Sequence, residues 1–364
     1  MTPAVATAEP APVAAEDGAP RRDPPYSYAS LPPGYRIESV TAGFEQPAAF
    51  DGAPDGRIFV VEQFAGRVRV VMPDGVLQAE PFYVVPDLHI EAEPGFVSEL
   101  GLVGIAVEPG ADPLSLLLYY SSTSGDGTRE TKLVRVREEN GRSVAAETLL
   151  ALPYAPGCCH IGGALTWLAD GTLLVGVGDH EDADAAQDLA SPVGKVLRIT
   201  RQGLAAVDNP FIGSPDADPR LFAYGLRNPF GVAADPEGPM FVLDNGEIGF
   251  DTVYELKPGG NYGWPASALA ADAQTQQPLQ LYQESLGIAS AVVYRGKLTA
   301  FAGALFFCQF HRGGALHWFP ISDDPFDFDR ILLGGCSSGV RVLSDEFLYY
   351  LDYFEGTLYR IVGP

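Results

Sequence analysis

The sequence predicts an all-β fold, specifically a six-bladed β-propeller, on three observations. Forty-one glycines and thirty-one prolines in 364 residues leave little room for long helical patterns and point to short strands joined by turns. One hairpin-like unit, two apolar strands separated by a gap around glycine, recurs along the chain in about six imperfect copies. The copies are spaced by roughly 40 to 70 residues, the length of one multi-stranded blade.

Residues 1–34 read as a flexible tail rich in Pro and Ala, and residues 35–364 as the propeller. The tail lacks the basic start and unbroken apolar segment of a secretory signal. In the first unit Asp55–Val61 leads to Gly66–Val71, in the second Leu116–Tyr120 to Lys132–Val136, and in the third Asp170–Val175 to Gly194–Ile199. The later units are Gly238–Leu243 with Thr252–Leu256, Gly303–Phe307 with Gly314–Phe319, and Glu346–Leu351 with Gly356–Val362. A ring suits such units, because each small sheet buries both faces against its neighbours and few edges stay open. A pair of β-sandwiches with coincidental hairpins is the alternative reading of the same strands.

Hydrophobic content of 46% supplies a core, and a net charge of -24 disfavours nucleic acid and anionic membrane surfaces, whose phosphates the summed field repels. An anionic ligand would need local cations. No apolar run approaches the ~20 residues needed to span a bilayer. Four cysteines, an even number, leave room for disulfides.

In a propeller the loops of every blade meet on the axis, so residues distant in sequence share one pocket. Five stretches carry candidate chemistry. His160 stands just before Gly162-Gly163, and Gly178-Asp179 closes the strand that follows. Glu99 precedes a strand of small residues, Leu100–Gly104. The others are Tyr224–Gly231, which contains Arg227 and Asn228, then Asp244–Asp251, and Gly259–Pro265.

These words, in this order and together with Ala186-Gln187-Asp188-Leu189 and Gly194–Ile199, resemble the soluble quinoprotein sugar dehydrogenases, the glucose/sorbosone and aldose sugar dehydrogenase family. Members are six-bladed propellers that use pyrroloquinoline quinone (PQQ) and calcium. The resemblance covers almost everything after the tail. It implies that His160 is the general base for a sugar hydroxyl, a task that suits a group of pKa about 6.5. It implies that Asp179 orients that imidazole, that Glu99 lies at the substrate and quinone edge, and that Arg227 and Asn228 contact the quinone. Cofactor calcium would rest partly on the backbone carbonyls of Gly246 and Glu247, while Asp251 and Tyr262 fall where some members bind a second, structural calcium. The partners so implied are a sugar and an external electron acceptor, in the periplasm or outside the cell.

The chain departs from the family pattern in three places. An Arg-x-Arg-Asp run that grips the quinone's carboxylates is replaced by Cys336-Ser337-Ser338-Gly339-Val340. Charge-assisted hydrogen bonds contribute about 1.5 to 3 kcal/mol each, so two missing arginines correspond to a loss of roughly two to four decades in affinity. His311 stands where members often carry lysine, with Arg312 beside it as a partial replacement. Either Arg341 or Arg330 could supply the missing charge from a re-routed loop. A vicinal pair, Cys158-Cys159, directly precedes His160.

If Cys159, His160, His311 and Cys336 met on the axis they could bind zinc or copper; disulfides or buried thiols among Cys158, Cys159, Cys308 and Cys336 are the plainer expectation. His89, His180 and His317 carry no motif and read as surface or packing residues. Two further functions stand beside the dehydrogenase: a binding module that has lost the quinone, and a calcium-dependent propeller lactonase.

Overall fold

The computed structural model describes residues 26–28, 30–91, 98–154, 157, 159–247, 249–266, 275–321 and 329–364. Its strand Leu173–Val177, LLVGV, is buried at every position because both faces of its sheet are covered. Leu173, Val175 and Val177 pack in a cluster with Leu117 and Tyr119 of the sheet before. Leu174, pointing the other way, packs in a cluster with Val232 and Val242 of the sheet after. Six apolar clusters, each drawn from two neighbouring sheets, carry this pattern around a closed ring.

The sheets are the six blades of a propeller. Blade one opens with Pro47–Gly52, blade two with Leu102–Val107 and blade three with Gly162–Trp167. Blade four opens with Pro229–Ala234, blade five with Ile288–Tyr294 and blade six with Gly339–Val342. The repeated hairpins of the sequence are the second and third strands of the blades, as in Ile58–Glu62 with Arg67–Val71. The sandwich alternative falls, since every sheet packs on both neighbours.

Closure joins the two ends of the chain. Arg36–Ala42 pairs antiparallel with Thr357–Val362, from Arg36 opposite Val362 to Ala42 opposite Thr357, as the outer strand of blade six. The expected tail boundary moves in consequence of a further pairing: Tyr26–Tyr28 runs parallel to Asp329–Ile331 and adds a fifth strand to blade five. That blade's outer edge offers unpaired backbone groups, and a short aromatic segment satisfies them. Residues 1–25, the rest of the expected tail, lie outside the described residues.

The axis is shaped by a repeated irregularity. The inner strands of blades one to five each shift register near their cavity end, between Pro47 and Ala49, Leu102 and Gly104, Gly162 and Leu165, Pro229 and Gly231, and Ala289 and Ala291. A bulge re-aims the extra residue. Ala48, Val103, Gly163, Phe230 and Ser290 are the residues so placed, and all line the axial space. Glycine is required at Gly104, where a Cβ would collide with the carbonyl oxygen of Gly163 from the next blade. Among the described residues no helix is long and apolar enough to cross a membrane.

Candidate active site

The end of the Leu173–Val177 strand and His160, two residues before the Gly162–Trp167 strand, are brought together at Gly178. A Cβ on Gly178 would collide with the carbonyl of His160, so only glycine lets the two segments cross here. His160 adopts a left-handed φ of 55°. Its backbone is fixed on both sides: its N–H donates to Glu99 Oε2 at 2.6 Å, and its carbonyl accepts from the His180 N–H at 3.1 Å.

The imidazole is oriented by a carboxylate that is itself held. His160 Nδ1 lies 2.8 Å from Asp179 Oδ1. Asp179 Oδ2 accepts the indole N–H of Trp264 at 2.8 Å, and Oδ1 also accepts the Glu181 N–H at 2.9 Å. Asp179 is 1% exposed and His160 16% exposed, so the acid is enclosed while the base reaches outward. A carboxylate facing Nδ1 makes that nitrogen the proton donor in neutral imidazole and leaves the Nε2 lone pair as the acceptor. Nε2 makes no hydrogen bond among the described residues.

Trp264 is positioned by a lattice of polar contacts. Gln187 Nε2 donates to the Trp264 carbonyl at 2.6 Å, and the Gln187 and Asn261 amides pair in both directions at 3.0 and 3.1 Å. Lys195 Nζ donates to the carbonyls of Ala185, Ala186 and Val193 at 2.7, 2.9 and 2.7 Å, which fixes the turn before Gln187. Burial pushes that ammonium down to about 8. The guanidinium of Arg227 lies over the Trp264 ring, 5.6 Å from its centroid.

Arg227 and Asn228 are set by a buried acid. Asp244 accepts the Arg227 N–H at 3.0 Å and the Asn228 N–H at 2.6 Å, and burial pushes its carboxyl up to about 7. Asn228 Nδ2 donates to Glu99 Oε2 at 2.8 Å, the oxygen that also accepts from His160. Burial raises the Glu99 carboxyl above its ordinary range. The Arg227 carbonyl accepts the Asp179 N–H at 2.8 Å, which completes a circuit from His160 through Asp179, Arg227, Asn228 and Glu99 back to His160.

Glu99 and Arg227 open onto a cavity of about 260 Å³ on the axis, together with Asp251, His311, Ser337 and Ser338. His160 does not line it and is linked to it through the Glu99 carboxylate that accepts its N–H. Beneath the floor a space of about 30 Å³ shares Ala48, Val103, Phe230 and Ser338 with the cavity and is lined by Arg341. The Arg341 guanidinium donates to Ser290 Oγ at 3.1 Å and to the Ala291 carbonyl at 3.4 Å.

The structure thus brings His160, Asp179, Glu99, Arg227 and Asn228 into one network and sets His311 across the ring. It does not bring Arg312 there. That residue takes a left-handed φ of 61°, is 64% exposed and pairs with Glu284 at 2.7 Å, an outcome favoured in so acidic a chain. Arg330 stacks on Trp318 at 4.9 Å and supplies no charge to the cavity lining. Gly246 and Asp251 line the cavity, whereas Glu247 and Tyr262 line a smaller pocket beside it. The Tyr262 hydroxyl donates to the Glu255 carbonyl and accepts the Lys257 N–H, both at 2.9 Å, so it is taken up by backbone and does not join Asp251 as a ligand. Cys308 and Cys336 form a disulfide and Cys159 is disulfide-bonded, which removes their thiolates from any Cys/His metal group. Cys158 lies outside the described residues.

Calcium and the quinone fare differently against this lining. No cluster of three or more acidic, His or Cys side chains able to hold a metal occurs among the described residues. Asn245 Oδ1, however, is buried without a hydrogen-bond partner, because Nδ2 is held by the Ile288 carbonyl at 2.9 Å. Beside it are the Gly246 backbone and Asp251, whose carboxyl burial pushes up to about 6. An orphaned amide oxygen next to a carbonyl suits a hard, oxygen-seeking cation. A quinone's reacting edge would likewise meet Arg227 in the lining, with the His160–Asp179 pair linked to it through Glu99. The quinone's carboxylates would find no such partners: Arg227 is the one permanent cation of the described lining, and Ser337 and Ser338 offer only hydroxyls. Burial and the nearby Arg312 push the His311 imidazole below its usual range, which leaves it neutral at pH 7. The residues do not fit a tricarboxylate.

Trp264, Gln187 and Lys195 were readable only as parts of motifs, and nothing local in the sequence gives their roles. Gln63, Phe310 and Tyr353 carried no signal at all.

Comparison with known proteins accords with this geometry. The sequence model of the Glucose / Sorbosone dehydrogenase family matches residues 44–351. The aldose sugar dehydrogenase YliI of Escherichia coli is 26% identical over 91% of this chain and 94% of its own length. The structure of a putative oxidoreductase (glucose dehydrogenase) from Thermus thermophilus superposes with a TM-score of 0.78 at 28% identity, over 90% of this chain and 100% of that one. The PQQ-bound aldose sugar dehydrogenase of Streptomyces coelicolor shares the fold, with a TM-score of 0.74 at 21% identity over 91% and 99% of the two chains. With the matched region spanning all six blades, this chain belongs to the glucose/sorbosone dehydrogenase family.

Proposed function

We propose that the chain oxidises an aldose or related polyol at a CH–OH group, with His160 Nε2 accepting the hydroxyl proton. The carrying observation is the contact of 2.8 Å between His160 Nδ1 and Asp179, an acid enclosed by Trp264. A proton gained at Nε2 turns the ring into an imidazolium that Asp179 stabilises, and such a base contributes on the order of a hundred- to ten-thousandfold. Arg227, which lines the cavity, would hold an electron-rich oxygen of the acceptor. The hydride would pass to a bound redox acceptor of the quinone class, and an external acceptor would take up the electrons. A quinone in this cavity would meet Arg227, and calcium would meet Asn245 and Gly246, but the quinone's carboxylates would find no cation.

That deficit supports a second reading, a sugar-binding propeller that has shed the quinone; its observation is the serine pair and neutral imidazole at the cavity wall. Titration of the protein with PQQ in calcium buffer, followed by sugar-dependent dye reduction, separates the two. Dye reduction abolished by His160→Ala supports the enzyme; saturable sugar binding with no dye reduction at saturating quinone supports the module. We also propose an oxidising compartment, periplasmic or extracellular, a reading that the Cys308–Cys336 bridge supports. Recovery of these cysteines as free thiols from freshly fractionated cells would contradict that placement.

A further inference from the structure

The wall of the cavity formed by blades five and six is aromatic. Phe310 and Tyr353 line it, their ring centroids 5.2 Å apart at 69°, and Phe354 packs on both at 5.2 and 5.5 Å. Phe354 is nevertheless 56% exposed, a large apolar ring left open at the rim.

The wall is rigidly built. Tyr353 donates its hydroxyl to Gln63 Oε1 at 2.8 Å, and Gln63 Nε2 in turn donates to the carbonyls of Ser98 and Leu100 at 3.1 and 2.9 Å. The Tyr353 N–H donates to Ser337 Oγ at 2.7 Å. The Cys308–Cys336 disulfide ties the segment that carries Phe310 to the one that carries Ser337 and Ser338. A preorganised aromatic surface loses little on binding a flat apolar face, and it offers no charge to an anion.

We propose that Phe310 and Tyr353, with Phe354 at the rim, form a stacking subsite for the apolar face of an uncharged pyranose ring. The inference rests on the reading of the cavity as a carbohydrate site, and it assigns the ring-binding residues that reading leaves open. Hydroxyls at the ring's edge then face Ser337, Ser338 and Gln63, and the -24 net charge does not oppose an uncharged ligand.

Methyl β-D-glucoside is the probe, because its anomeric oxygen carries no proton to lose, so binding is read apart from oxidation. Calorimetric titration of the full chain should show saturable binding, weakened roughly three- to tenfold by Phe310→Ala and again by Phe354→Ala. Phe310→Trp should restore affinity. Phe354→Ala removes a half-open ring, so the comparison stands even where Phe310→Ala fails to fold. Glucoside affinity unchanged in Phe354→Ala and Phe310→Trp/Phe354→Ala overturns the subsite, as does the absence of glucoside binding. Glucoside binding with these losses but without dye reduction of any sugar leaves the subsite standing and removes the oxidoreductase reading. Dye reduction with a KM untouched by the aromatic variants does the reverse.

Discussion

Trp264 donates its indole N–H to the Asp179 oxygen on the far side of the carboxylate from the short His160 contact, so blade four's loop fixes an acid that blade three supplies. The acid that orients the base is therefore held by a residue 85 positions away from it in sequence. Hydrogen bonds to ionised groups contribute about 1.5 to 3 kcal/mol. Trp264→Phe should keep the ring under Arg227 yet lower kcat/KM for sugar-dependent dye reduction by roughly ten- to a hundredfold. An unchanged kcat/KM in quinone-loaded protein would show that Asp179 needs no such support.

His180, next in sequence, gives a pH-dependent stability. Burial pushes its imidazole down to about 4 from an ordinary 6.5. Because the folded form binds the proton less well than the unfolded chain, stability falls as pH drops from about 6.5 to about 4, by about 3 kcal/mol at most. His180→Asn, a residue tolerant of the left-handed φ of 54° found here, should flatten that part of the profile in urea unfolding between pH 4 and 7. A slope identical in both proteins would assign acid sensitivity elsewhere.

His311 is the charge lever of the cavity. It is neutral at pH 7, so protonation as pH falls below its lowered range adds a cation and should strengthen the binding of anionic quinone. His311→Lys should raise quinone affinity about tenfold at pH 7 and abolish that pH dependence. Fluorescence titration checks both, and equal affinity in the two proteins would place the quinone's carboxylates away from blade five.

The Cys308–Cys336 bridge closes a loop of 28 residues. Loop-closure entropy assigns such a cross-link about 3 to 4 kcal/mol. Reduction, or the double change Cys308→Ser with Cys336→Ser, should lower Tm by several degrees and loosen the wall at Phe310 and Ser337. Reductant should lower the Tm of the double variant less than that of the wild type, the remaining response belonging to the Cys159 disulfide, and a wild-type Tm indifferent to reductant would leave the bridge without a stabilising role.

The fold was legible because blade stacking writes itself locally. Each second and third strand is an apolar run between turn residues, as in Leu173–Val177, and its sixfold recurrence needs no tertiary information. The motif residues His160, Asp179, Arg227 and Asn228 were likewise visible as ordered words. The tertiary structure decided what those words do to one another. Glu99, Asn228 and His160 share one carboxylate oxygen across three blades, and Tyr353 reaches Gln63 across the ring closure. It also decided that Arg312 faces solvent and that Arg341 lies beneath the cavity floor. Periodicity constrains neighbours along a strand, but side chains converging on an axis come from loops whose direction is set by backbone crossing, bulges and the closure of the ring.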